Sequence, residues 1–145
     1  MKSDNILISL TPRHASNVFS GSKTVELRRR SMNIQPGTTT WIYVKLPIGA
    51  ITGCVTVSAI HNFSPRTLWK KFGPVSGLTR IEFFKYFDGV KKGVALELVD
   101  AKTLKNPLSL TTLRTHVDGF QPPQFFTHLL DENLILTAAE KALYQ

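Results

Sequence analysis

Apolar residues recur along the chain with two periods, and each change of period marks an element. Asn5–Leu10 is a short run apolar enough for a strand buried on both faces. Thr11-Pro12 then opens a helix, because threonine caps well and proline fits a first turn whose N–H groups have no partner. Ala15, Val18 and Phe19 fall on one face of that helix, and Gly21 supplies the left-handed stop. From Lys23 to Arg28 the period switches to two: Val25 and Leu27 point to the core, Thr24, Glu26 and Arg28 away from it. Gln35-Pro36-Gly37 turns the chain into a second alternating strand, Thr39–Leu46, with Trp41, Tyr43 and Lys45 opposite Ile42, Val44 and Leu46. After Pro47-Ile48-Gly49, the β-branched run Ile51–Ile60 predicts a long central strand.

Helical spacing returns at Ser64-Pro65, with Leu68, Trp69 and Phe72 as the apolar stripe and Gly73 as the stop. Thr79 and Glu82 stand at capping-box spacing, and Ile81, Phe84 and Phe87 continue as the buried face to Gly89. Gly93–Val99 alternates as a strand. Beyond Asn106-Pro107 the pattern loosens through Gln121-Pro122-Pro123-Gln124, and about 133–144 can close the chain with a helix on Leu136, Ala139 and Leu143. The expectation is a single α+β domain over 1–145, with its core at about 5–130 and a helical tail at about 131–145. Its simplest form is a small, mostly antiparallel β-barrel with short peripheral helices.

Composition narrows the function. The 145 residues carry a net charge of +8, distributed unevenly. Residues 1–80 hold 11 basic side chains against Asp4 and Glu26, whereas residues 81–145 hold seven basic and eight acidic. A field so lopsided draws polyanions to one part of the molecule. The single cysteine, Cys54, excludes an intrachain disulfide and fits a reducing compartment. No stretch reaches the roughly 18 apolar residues of a membrane span, and the N-terminus has no secretory pattern, so the expected location is cytoplasmic with no membrane partner. His14, His61, His116 and His128 lack ligand spacing, so neither a metal nor a cofactor is expected. Phosphate-binding glycine loops and the serine-hydrolase elbow are absent.

The densest candidate chemistry is 21–30. Glu26, alone among cations, suits an ion pair with Arg28 on the same strand face, and Lys23 would offer a mobile ammonium at the rim. Arg29 and Arg30 add phosphate-binding charge. Trp41 and Tyr43 share a strand face and suit a base-stacking platform, with Lys45, Lys70 and Lys71 holding the backbone. For Trp69, on the apolar stripe, core packing is the better reading.

Several segments in order resemble the ASCH domain family. They are Ile6–Pro12, the run Phe19–Arg28 with its GxKxxExR pattern, Trp41–Val44, the Ser64-Pro65 helix with Leu68–Gly73, and Pro122–Phe126. The resemblance spans roughly residues 5–130 and implies a PUA-like barrel with a cleft lined by Lys23, Glu26 and Arg28. It also implies a ligand that is single-stranded RNA or a modified nucleoside. Some members are amidohydrolases of N4-acetylcytidine that use Lys, Thr and Glu. Lys23 matches the first, Glu26 stands at the threonine position, and the 64–72 helix has no carboxylate. Other members are ribonucleases, for which Lys23 and Glu26 would be the catalytic pair and no metal would be needed. The expectation is therefore an RNA-binding protein, with a metal-independent ribonuclease or amidohydrolase as the alternative; no protein partner is specified.

Overall fold

The computed structural model describes residues 4–145. Six strands form one sheet in the order β2-β5-β4-β3-β1-β6, curled into a half-barrel. The strands are β1 (Asn5–Leu10), β2 (Val25–Arg28), β3 (Thr39–Val44), β4 (Ala50–Phe63), β5 (Gly93–Ser109) and β6 (Phe126–His128). All neighbours are antiparallel except β1 and β3. Around the sheet lie α1 (Pro12–Ser20), α2 (Pro65–Phe72), α3 (Arg80–Tyr86), α4 (Leu110–His116) and α5 (Leu134–Leu143).

Local chemistry sets the helix ends. The Thr11, Ser64 and Thr79 side chains accept the N–H of His14, Thr67 and Glu82 respectively, and Thr79 with Glu82 completes a capping box. Gly21 closes α1 with φ +88°, a conformation that suits glycine.

Alternation distributes the strand side chains between two layers. On one face of the sheet Ile6, Ile8, Ile42, Val44, Val57, Val94 and Leu96 pack with Ala15 and Val18 of α1. On the other face Leu7, Trp41, Tyr43, Ile51 and Leu104 lie under α4 and α5, while Val25, Leu27 and Ala95 lie under α2 and α3. The central strands are therefore buried on both faces.

Three elements differ from the sequence pattern. The fifth strand does not stop at Val99 but runs on to Ser109, through register shifts that pair it with nearly all of β4. The loose region contains α4, capped by Ser109, and the short β6 on the edge of β1. In α3 the apolar face is Phe83 and Phe87, both buried, whereas Ile81 is 82% exposed. Phe83 wins because it meets Trp69 of α2 edge-on, with ring centroids 5.1 Å apart.

The crossing of α1 over the sheet depends on a missing side chain. A Cβ at Gly53 would collide with the Lys102 carbonyl and the Phe19 ring. Gly53→Ala should therefore lower stability by about 2 kcal/mol, read as a shift in the urea midpoint at unchanged slope. A wild-type midpoint would contradict this packing.

Candidate functional site

A cleft of about 630 Å³ opens beside β2, between the α1 N-terminus, α3 and the loop that precedes β6. The alternation of β2 builds its floor. Val25 and Leu27 enter the core under α2 and α3, so Glu26 and Arg28 must face the other way. Arg28 Nη2 donates to Glu26 Oε2 at 2.8 Å, and Arg28 Nη1 donates to the Phe125 carbonyl at 3.1 Å. The second bond joins β2, at one edge of the sheet, to the loop leading into β6 at the other. Ser9 Oγ donates to the Pro123 carbonyl at 2.7 Å and ties that loop down to β1.

Lys23 completes the floor. Its Nζ donates to the Ser76 carbonyl at 2.5 Å and lies 3.9 Å from Glu26 Oε1. The Ser76 carbonyl is itself fixed, because the Ser76 side chain donates to Gly73 and accepts from the Leu78 N–H. The side chains of Lys23, Glu26 and Arg28 are only 2%, 9% and 10% exposed. Burial pushes the Lys23 ammonium below the usual lysine range; Glu26 opposes that shift, and Arg13 and Arg28 add to it. Lys23 is thus a fixed group on the cleft floor and not the mobile rim ammonium that its place in the turn suggests. Arg28 Nε is buried without a hydrogen-bond partner, as is His14 Nδ1.

The rim is built differently. Lys45 and Lys85 are exposed and line the mouth, together with His14 and Tyr86. Burial lowers the His14 imidazole, and the nearby Lys23 lowers it further. Tyr86 donates its hydroxyl to the Leu27 carbonyl at 3.0 Å, and burial raises its pKa. At one side Arg13 grips Glu82 through two bonds, of 2.7 and 3.0 Å, and donates to the Gly77 carbonyl, clasping α1 to α3. Those bonds, with the Thr79 N–H, hold the Glu82 carboxyl down to about 2.

Of the residues singled out from sequence, Lys23, Glu26, Arg28 and Lys45 come together here. The others do not line the cleft. Trp41 and Tyr43 are 1% and 3% exposed, beneath α4 and α5, so no base can reach their rings and the stacking platform is ruled out. The uninterrupted apolar run Trp41-Ile42-Tyr43-Val44 is the pattern of a strand covered on both faces. Arg29 donates to the Tyr86 and Asp88 carbonyls at the end of α3, and Arg30 lies over the Phe125 ring at 4.6 Å. Lys70 and Lys71 sit in the last turn of α2, Lys71 beside Phe63. His14, Lys85 and Tyr86 were not singled out, since only the tertiary approach of α1 and α3 to β2 gives them a common neighbour. No group of three or more metal-ligating side chains occurs among the described residues.

No family model matches the chain. It is 35% identical over 126 residues to an ASCH domain-containing ribonuclease of Zymomonas mobilis, covering 87% of this chain and 84% of the relative. The crystal structure of an ASCH protein from Zymomonas mobilis superimposes with a TM-score of 0.86 at 32% identity, over 92% of this chain and 94% of that one. A human THYN1 protein, solved in complex with 5-methylcytosine-containing DNA, shares the fold at a TM-score of 0.57 and 10% identity, covering 97% and 98% of the two chains.

The floor predicts its own titration. A lysine whose folded pKa is depressed binds fewer protons than in the unfolded chain, so stability rises with pH between the two values. Glu26→Gln removes the one group that opposes the depression, so the Lys23 pKa should fall further, as read by 15N NMR of its Nζ. The variant should lose about 3 kcal/mol at neutral pH, because two buried cations lose their carboxylate. That deficit should shrink as rising pH removes the charge on Lys23. A Lys23 pKa unchanged or raised by Glu26→Gln would contradict the arrangement.

Proposed function

The chain belongs to the ASCH domain family, and on that footing we propose that it binds single-stranded RNA in the cleft above β2. The observation that carries the reading is the arrangement of charge in an open cavity. Lys45 and Lys85 stand free at the mouth, while Lys23 and Arg28 form a fixed cationic floor around Glu26. Rim cations attract phosphates from a distance and release counterions on contact. The floor then offers groups of defined geometry to one nucleotide. Arg28 Nε–H is a buried donor to spare, and Glu26 is a carboxylate able to accept from a base amine.

A second reading, cleavage of that RNA, is favoured by the Zymomonas mobilis relative named as a ribonuclease and by the depressed Lys23 pKa. The Lys23 amine would take the proton of a 2′-hydroxyl, and O2′ would attack the adjacent phosphorus. The P–O5′ bond would break to leave a 2′,3′-cyclic phosphate, with solvent in the open cleft protonating the leaving 5′ oxygen. Arg28, held by Glu26, would stabilise the charge gathering on the phosphorus oxygens. No step requires a metal.

Binding and cleavage are tested separately. Replacing both Lys45 and Lys85 by Ala should reduce the slope of log K against log salt by about 1.4 for a single-stranded RNA. A slope equal to wild type would remove the rim from the binding surface. Lys23→Ala should reduce cleavage of a labelled RNA by about 100-fold or more, and a substrate with 2′-deoxyribose at the scissile position should resist. In the wild type the rate should rise with pH as Lys23 loses its proton, then level off. Cleavage that survives Lys23→Ala would overturn the catalytic assignment.

A further inference from the structure

The cations that the cleft leaves out converge on one end of the sheet. Arg28 and Asn62 both pair with Val94, and Phe63 pairs with Gly93 in the next row. Arg29 follows β2 at this end, and Lys91 and Lys92 immediately precede Gly93. The Lys71 ammonium lies 5.6 Å from the Phe63 ring, with Lys70 beside it in the last turn of α2. The carboxylates here are Asp88, in the turn after α3, and Glu97, which is held 2.6 Å from His61 Nε2.

Phe63 ends β4 and is 37% exposed. His61, two residues earlier on the same face, is near-parallel to it, with centroids 6.0 Å apart and planes at 27°. Glu97 on one side and the Phe72 ring, 4.9 Å away, on the other fix the His61 ring. The result is a pair of stacked rings set among cations, with Phe63 partly exposed, about 10 Å or two strand spacings from β2 and on the sheet face opposite Arg28. Aromatic faces that stack bases beside cations that hold phosphates are the general means of gripping a single strand without reading its sequence.

We infer that this end of the sheet is a second nucleic-acid surface, reached when a single-stranded RNA seated in the cleft rounds the end of the sheet past Lys91-Lys92 to the face that carries α2. Phe63 stacks a base, and Lys71 and Lys92 contact phosphates. The inference rests on the RNA reading of the cleft and gives that site a minimum length of substrate. A ligand confined to the cleft never meets Phe63; a longer strand does.

The test compares 4- and 12-nucleotide oligouridines by fluorescence anisotropy on the full chain. Phe63→Ala should weaken the 12-mer about tenfold and leave the 4-mer unchanged. Phe63→Leu keeps the apolar bulk and should behave the same way, so a folding defect in the alanine variant cannot be mistaken for lost stacking. The double change Lys71→Ala and Lys92→Ala should flatten the salt slope for the 12-mer alone, by about 1.4. Wild-type affinity of both Phe63 variants for the 12-mer, with Arg28→Ala weakening both lengths, would overturn this inference and leave the cleft reading standing. Wild-type affinity of Arg28→Ala for both lengths would overturn the cleft reading and the continuation with it.

Discussion

Arg28 joins two partners that lie on opposite edges of the sheet. One is Glu26, two residues back on the same strand; the other is the Phe125 carbonyl, at the opposite edge of the sheet. The edge strands β2 and β6 share no backbone hydrogen bonds, so the half-barrel would remain open along this seam. A guanidinium suits the position because its planar fork can serve a carboxylate and a carbonyl at once, which a lysine ammonium does with less geometric definition. The cleft lies along that seam, and the group that draws the two edges together also forms its floor.

Burying three charged side chains is costly, and the cost is met unevenly. Glu26 is paired on both sides, closely by Arg28 and more distantly by Lys23. Lys23 donates to a neutral carbonyl and lies farther from Glu26, so burial lowers its pKa with Glu26 opposing only in part. The imbalance suits a site better than a scaffold. Burial eases the loss of the Lys23 proton, and Arg28 Nε–H, left unpartnered, can gain a bond when a ligand arrives. The Arg13–Glu82 clasp, by contrast, lies in solvent and serves to fix α3 against α1.

The parts of this architecture governed by neighbouring residues were legible in the sequence. The caps at Thr11, Ser64 and Thr79 act over three residues, and the alternation of Val25 and Leu27 with Glu26 and Arg28 separates core from cleft without tertiary information. The family resemblance, drawn from segments spread along the chain, agrees with the relatives found. What failed depended on layers that meet only in the fold. Trp41 and Tyr43 are core residues because α4 and α5 cover them; the unbroken apolar run of β3 signals burial on both faces but does not name the covering helices. The Arg28-Arg29-Arg30 run reads as one cluster, yet β2 ends at Arg28 and its successors turn to the end of α3 and the Phe125 ring. His14 and Tyr86 reach the cleft from helices whose sequences mark a face but not a destination.

The most direct measurement is NMR of the side-chain N–H groups on the cleft floor during titration with a short single-stranded RNA. If the ligand seats against the floor, the Arg28 Nε–H and Lys23 Nζ resonances shift together and saturate at one concentration. Resonances that stay fixed while the RNA binds would mean the buried cations serve only to hold the seam, and the floor would no longer be a site.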